Sequence, residues 1–439
     1  MLSTLLAQFQ TPDAAVHFIG CGGAGTAPLL RIFHELRFRV SGSDLIDNRE
    51  TEALRNLGIP VFTGAHDAAH LPEAERLLVV HTSAAESSNP ELQEAVRRNA
   101  VILRRGEALA EAAKLFPQVI AVSGSHGKTS VTAMLSFALL ELGEDPGFLI
   151  GGTLPCFPAS GTAGAGSIFI TEADESDGTH TLIHSTIGIV TNMEDDHVWS
   201  LGGFHILQQN FRTFADQAET LVYCADVNTD ALYRERQDGV IRIAEWDKNV
   251  FSEKEFSTRG DFHLKNEYTV LLALERMGYP RQKILAALEK FPGVDRRMTV
   301  HYDTPALRIM EDYAHHPTEL RESIKAFRKT NPGRRLVIAF QPHRYARLER
   351  YFHEFAQELK AADRCYILPV FAAWTGKGKY TSDDLAEAAG ALSLHGTFEE
   401  MAGTICADLR SNDLLCIIGA GDGKELIPHC LSLTKNKDL

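Results

Sequence analysis

The chain has 439 residues, room for roughly two to four domains, and its 44% hydrophobic and 23% charged content excludes a disordered chain. A net charge of −14 excludes a general nucleic-acid or membrane-surface binder, though not a local basic pocket. Seven scattered cysteines without a C-x-x-C pair exclude a zinc ribbon and fit a reducing cytoplasm. No apolar run reaches the ~18 residues of a membrane span, and Met1–Gln10 lacks the basic start and apolar core of a secretory leader.

In chain order, Val16–Ile19 predicts a strand, Gly20-Cys-Gly-Gly-Ala-Gly25 a G-x-G-x-x-G loop, and Thr26 to Leu36 a helix. A second strand, Phe38–Val40, leads into Ser41-Gly-Ser-Asp44. Asp44 lies near the position of a ribose-binding carboxylate, and a solvated turn residue is an equal reading. Strand Leu77–Val80 runs into His81-Thr-Ser83-Ala-Ala85, a helix starts at Asn89-Pro90, and Val101–Leu103 is a further strand. Strands alternating with helices predict a mainly parallel sheet with ligands beyond the strand C-terminal ends. This nucleotide-binding α/β domain is expected to span 1–112.

The second domain, 113–298, opens on an apolar strand, Val119–Val122, then Ser123-Gly124-Ser125-His126-Gly127-Lys128-Thr129-Ser130, then a helix to Leu142. The first position of G-x-x-x-x-G-K-[ST] is Val122, so the strict pattern fails. The strand–loop–helix setting still predicts a phosphate loop, with Lys128 on the β/γ-phosphates and the Thr129 hydroxyl on magnesium. Residues 151–166 read as an exposed loop. Strand Ser167–Thr171 ends in Glu172-Ala-Asp-Glu-Ser-Asp177, and Thr186–Val190 ends in Thr191-Asn-Met-Glu-Asp-Asp-His197. A solvated acidic loop is the plain reading. Two carboxylate-bearing strand ends in one sheet with a phosphate loop point instead to magnesium, with His197 a credible ligand. No lysine falls between Lys128 and Lys248, which rules out a second or modified lysine there. Residues 223–262 give no clear pattern. Helices from Phe262 to Gly278 and Gln282 to Leu288 precede an exit linker, Phe291–Arg297.

The third domain, 299–439, has strands Ala306–Met310, Leu336–Phe340, Tyr366–Leu368 and Leu414–Ile418, with a helix over Glu319–Arg328. Leu348, Tyr351, Phe352, Phe355 and Leu359 form a helical stripe read as core. His315 and His316 read as capping or packing residues. His343, Arg344 and Arg347 make a cationic patch suited to a carboxylate or phosphoryl group. The whole is an α/β chain of three units. ATP beside a separate acidic substrate fits a ligase that activates a carboxylate as an acyl phosphate.

Together, Gly124–Ser130, Glu172–Asp177, Thr191-Asn192 with Asp196-His197, Arg296-Arg297, Asp312–Glu319 and Phe340–Tyr345 resemble the Mur ligases, in order and over nearly the whole chain. The resemblance implies a Rossmann-like N-terminal domain for the UDP-sugar, a central domain for ATP and magnesium, and a Rossmann-like C-terminal domain for the amino acid. The implied reaction is amide-bond formation between UDP-N-acetylmuramate and L-alanine in peptidoglycan synthesis, in a monomer or homodimer. By motif match, Gly124–Ser130, Asn266, Arg297 and Asp312 would hold ATP. Thr129, Glu172 and His197 would bind metal. Gly20, Gly22, Gly23, Gly25, Asp44 and Ser83 would face the sugar nucleotide. Lys128, Glu172, His197, Arg344 and Arg347 would carry the chemistry, with Tyr313, His315 and His343 near the amino acid.

The chain departs from the family in three places. It keeps only Asn266 of a His-Asn-x-x-Asn pattern, has a short 226–260 segment, and carries Phe371-Ala-Ala-Trp-Thr375 where a Tyr-x-Ala-Gly-Glu-like run is usual. Alternatives at this level are a recycling ligase that attaches a tripeptide to the same sugar nucleotide and a nucleotide-binding homologue without ligase activity. An NAD oxidoreductase rests on Gly20–Gly25 alone.

Overall fold

The computed structural model describes residues 5–157, 159–196, 202–251, 260–373 and 376–435. They form three sheets with helices between the strands, and pack as two compact units: Met1–Trp246 with Asn266–Pro292, and Asp247–Lys265 with Gly293–Leu439.

In the first unit, β1 (Ala14–Ile19), β2 (Val40–Asp44), β3 (Val61–Thr63), β4 (Arg76–His81) and β5 (Val101–Arg104) build a parallel sheet in the order β3-β2-β1-β4-β5. Its strands are linked through α1 (Thr26–Glu35), α2 (Arg49–Asn56) and α3 (Pro90–Arg97). The caps follow from the sequence. Asn48 accepts from Glu50 N and Thr51 N, and Asn89 caps α3 with Pro90 at its first turn. The second strand lies later than Phe38–Val40: Val40–Ser43 pair with Val16–Ile19, and Gly42–Asp44 with Val61–Thr63. Ser41 and Ser43 are buried, with their hydroxyls bonded to His17 and Glu91, so a polar stretch is held extended by partners distant in sequence.

Helix α4 (Arg105–Ala113) leads to a second sheet in the same unit. Its strands are β6 (Gln118–Ser123), β7 (Gly147–Leu149), β8 (Gly161–Thr162), β9 (Ile168–Glu172), β10 (Ser185–Val190), β11 (Ala218–Cys224) and β12 (Val240–Ile243). They lie in the order β12-β11-β10-β6-β9-β7-β8, parallel but for the β7–β8 pair. Helix α5 (Lys128–Glu141) follows β6. Residues 151–166 are not wholly an exposed loop. Gly161 and Ala163 are buried, a Cβ at Gly161 would lie 2.5 Å from Pro28 Cβ, and Glu35 accepts from Thr162 Oγ1 and Ala163 N at 2.7 Å each. Residues 223–262 supply β12 and a helix, Val227–Tyr233, capped by Asp226.

The second unit carries β13 (Thr299–Asp303), β14 (Leu307–Asp312), β15 (Arg335–Phe340), β16 (Arg364–Ile367), β17 (Leu392–Ser393) and β18 (Asp413–Ile418). Their order is β13-β14-β18-β15-β16-β17, with β13 antiparallel to β14. The stripe of Leu348, Tyr351, Phe352, Phe355 and Leu359 is buried in its core, split over two helices, Tyr345–Arg350 and Phe352–Leu359.

Candidate active site

The phosphate loop leaves β6 at Ser123 and enters α5 at Lys128. Two glycines make the turn possible. Gly124 has φ +135° and Gly127 has φ +86°, conformations that side-chain-bearing residues rarely adopt. A Cβ on Gly124 would also lie 2.1 Å from Thr191 Oγ1, so the loop presses directly on the end of β10. That end braces it: His126 N donates to Asn192 Oδ1 at 2.9 Å, and Thr191 Oγ1 and Asn192 Nδ2 donate to His126 O at 2.6 and 2.9 Å. Glu194 N bonds Ser125 Oγ at 2.8 Å. Just beyond, an open cavity of about 480 Å³ is lined by Glu194, Asp195, Phe204 and Asn228.

Lys128 Nζ donates to Gly124 O at 2.6 Å and to Glu175 Oε2 at 2.7 Å. Glu175 is 1% exposed, and burial lifts its carboxyl to about 7 against the pull of Lys128. Glu172 lies in the same place. Its Oε1 accepts from Gly151 N at 2.5 Å, and its carboxylate lies close enough to Thr129 and to the Lys128 charge for both to favour its ionised form. Burial still pushes the Glu172 carboxyl upward. Burial acts the same way on Asp174, but there the Lys128 charge and the Ser176 N–H prevail and hold it down. The acidic run is thus a folded wall of the phosphate loop. His180 pins it, donating from N and Nδ1 to Asp174 O at 3.1 and 3.2 Å, and burial between Phe211 and Phe214 lowers this ring to about 4.

Lys128, Thr129 and Glu172 therefore meet, as the sequence leads one to expect; His197 lies outside the described residues. Thr129 and Glu172 offer hard oxygen donors, the chemistry that suits magnesium. At the first sheet, Gly22 N donates to Asp44 Oδ2 at 2.8 Å, so Asp44 braces the glycine loop rather than lying free in solvent. Thr82 packs against Gly20, while Ser83 is exposed. Asn266 is buried in the helix Asp261–Arg276.

In the second unit, Tyr313, His315 and His343 form a chain of ring contacts at 5.4 and 5.7 Å, and His343 stacks on Phe371. Arg347, 1% exposed, donates to His343 Nδ1 at 3.2 Å. Arg344 holds φ +68° and donates its backbone N–H to Phe371 O. Arg297 pairs with Glu319 at 3.2 Å and, like Arg296, stands over the Tyr313 ring. Asp312 is buried, accepting from Met298 N, Ala314 N and Ser323 Oγ at 2.9 Å each, and burial raises its carboxyl. His316 caps its helix through Thr318 N.

Sequence reasoning passed over Glu175, Asn192 and a buried cluster in which His17, His66, His70 and Ser43 all bond Glu91 at 2.6–3.0 Å. Glu175 and Asn192 carried local signals, the acidic run and the Thr191-Asn192 motif, but neither was given a role; the Glu91 cluster carried none.

Profiles described as "Mur ligase family, catalytic domain" and "Mur ligase, glutamate ligase domain" match residues 15–117 and 296–421. The chain is 33% identical to a UDP-N-acetylmuramate–L-alanine ligase of Myxococcus xanthus, covering 98% of each. It is 32% identical to the protein of that name from Bdellovibrio bacteriovorus, covering 94% of this chain and 97% of the relative. A solved UDP-N-acetylmuramate-alanine ligase from Thermotoga maritima shares the fold at TM-score 0.79 and 23% identity, over 96% of this chain and 100% of that one.

Proposed function

The chain belongs to the Mur ligase family, and from that premise we propose that it joins L-alanine to the carboxylate of UDP-N-acetylmuramate with cleavage of ATP to ADP and phosphate. A carboxylate oxygen attacks the γ-phosphorus and ADP leaves. The alanine nitrogen then attacks the acyl carbon, the phosphate leaves, and the nitrogen loses two of the three protons of the ammonium form, keeping one as the amide N–H. The observation that carries this reading is the convergence of Lys128, Thr129 and Glu172 on the Gly124–Gly127 turn.

In this assignment residues 1–112 hold the UDP-sugar through Gly20, Gly22, Gly23, Gly25, Asp44 and Ser83. Residues 113–298 hold ATP, and 299–439 hold the amino acid. Lys128 neutralises the phosphates while the loop N–H groups orient them; the cavity beside Glu194 gives room for the nucleoside. Thr129 and Glu172, with His197, would hold magnesium, which supplies charge neutralisation for phosphoryl transfer. The motif match also assigns Asn266, Arg297 and Asp312 to the nucleotide. Arg344 and Arg347, with Tyr313, His315 and His343, receive the alanine carboxylate and the acyl phosphate. No helix among the described residues is long and apolar enough to cross a membrane. The cytoplasmic location and the monomeric or homodimeric state are proposed on the family resemblance alone.

The test is phosphate release with ATP, magnesium and UDP-N-acetylmuramate against a panel of amino acids and a tripeptide. Release that needs L-alanine is expected. Release with the tripeptide alone reassigns the chain to recycling, and UDP-sugar binding without release under any condition leaves a non-catalytic homologue.

A further inference from the structure

Arg105 stands where the two nucleotide loops of the first unit come together. It opens α4, and its neighbour Gly106 packs so tightly on the segment after the acidic run that a Cβ there would lie 2.2 Å from Thr179 Oγ1. That contact fixes the backbone from which the guanidinium extends. In one direction the side chain covers Gly25, the last residue of the glycine loop: a Cβ at Gly25 would lie 3.3 Å from Arg105 Cδ and Nη1. In the other, Nη2 donates to Asp177 Oδ2 at 2.7 Å. The second oxygen of Asp177 is occupied by Thr179 N at 2.9 Å, so the carboxylate is aimed. One guanidinium thus touches the loop that ends β1 and the acidic loop that ends β9.

A planar guanidinium binds phosphoryl oxygens in pairs and prefers them to a half-exposed carboxylate, whose ion pair contributes little in water. We propose that Arg105 is a substrate-binding residue: it takes the diphosphate of the sugar nucleotide at the Gly20–Gly25 loop and gives up Asp177 to do so. The assignment rests on the sugar-nucleotide reading above and adds to it a named cation and its resting partner. Filling the sugar site then frees a carboxylate on the loop that carries Glu172, which links the two nucleotide sites through one side chain.

Calorimetric titration of the full chain with UDP and, separately, with uridine tests this. Arg105→Gln should weaken UDP binding about tenfold or more and leave uridine binding unchanged, with Arg105→Lys in between. Asp177→Asn should tighten UDP binding a few-fold, because the resting competitor is gone; a merely structural role for the pair would not give a gain. Equal UDP affinity in wild type and Arg105→Gln, equal losses for UDP and uridine, or weaker UDP binding by Asp177→Asn overturns this assignment alone. A wild-type chain that binds no UDP overturns the sugar-nucleotide reading and this assignment with it.

Discussion

Replacing Glu175 with glutamine removes a buried charge beside the phosphate loop, and the geometry sets the direction of the effect. Lys128 Nζ is shared between Gly124 O at 2.6 Å and Glu175 Oε2 at 2.7 Å, so a phosphate that recruits the ammonium competes with the carboxylate. Glutamine keeps the shape and an acceptor oxygen but not the charge. The difference between an ion-paired and a merely hydrogen-bonded ammonium is on the order of 1 kcal/mol, or about fivefold tighter MgADP binding. Burial lifts the Glu175 carboxyl to about 7, so the gain should be full at pH 8 and shrink towards pH 6, where the protonated wild type resembles the variant. Stability follows the same group. The folded carboxyl holds its proton above the ordinary glutamate pKa of 4.5, so wild-type stability falls as pH rises from there to about 7, and the variant should melt higher at pH 8. Calorimetry with MgADP at the two pH values is the assay. Equal or weaker binding by the variant at pH 8 would refute the competition.

Lys128→Ala and Glu172→Ala should each lower ligation by on the order of a hundredfold or more while UDP-sugar binding persists; turnover near wild type in either contradicts the assignment. Gly124→Ala places a side chain at φ +135° and 2.1 Å from Thr191 Oγ1. Urea unfolding should show a loss of about 2–5 kcal/mol from strain and overpacking, and a cost below about 1 kcal/mol would remove the constraint. Glu91, 0% exposed, is held near 2 because bonds from His17, Ser43, His70 and His66 outweigh the opposing effect of burial. Its folded pKa lies below the ordinary glutamate value of 4.5, so its stabilisation is present above that pH and is lost as pH falls towards about 2. Glu91→Gln should therefore cost roughly 3 kcal/mol at pH 7 and nearly nothing at pH 2. A difference that does not depend on pH would contradict this.

The parallel strands and both glycine loops were legible because their signals are local: apolar runs, glycine spacing, a lysine and hydroxyl at the start of a helix. The shift of the second strand to Val40–Asp44 was not, since Ser41 and Ser43 become strand residues only through His17 and Glu91. Glu175 reads as one more acid in a polar run until Lys128, 47 positions away, is brought against it. The Glu91 cluster gathers residues from four separate segments, and no periodicity announces it. The buried part of 151–166, at Gly161 and Ala163, escaped for a related reason: glycine and alanine suit an exposed loop and a close contact equally, and only Pro28 and Glu35 decide between them.

In the proposed reaction the sugar carboxylate is phosphorylated before the amine attacks. UDP-N-acetylmuramate labelled with ¹⁸O in its carboxylate, turned over with ATP, magnesium and L-alanine, tests it by mass spectrometry of the released phosphate. One ¹⁸O atom should pass to each phosphate formed; unlabelled phosphate accompanying amide formation would rule this order of steps out.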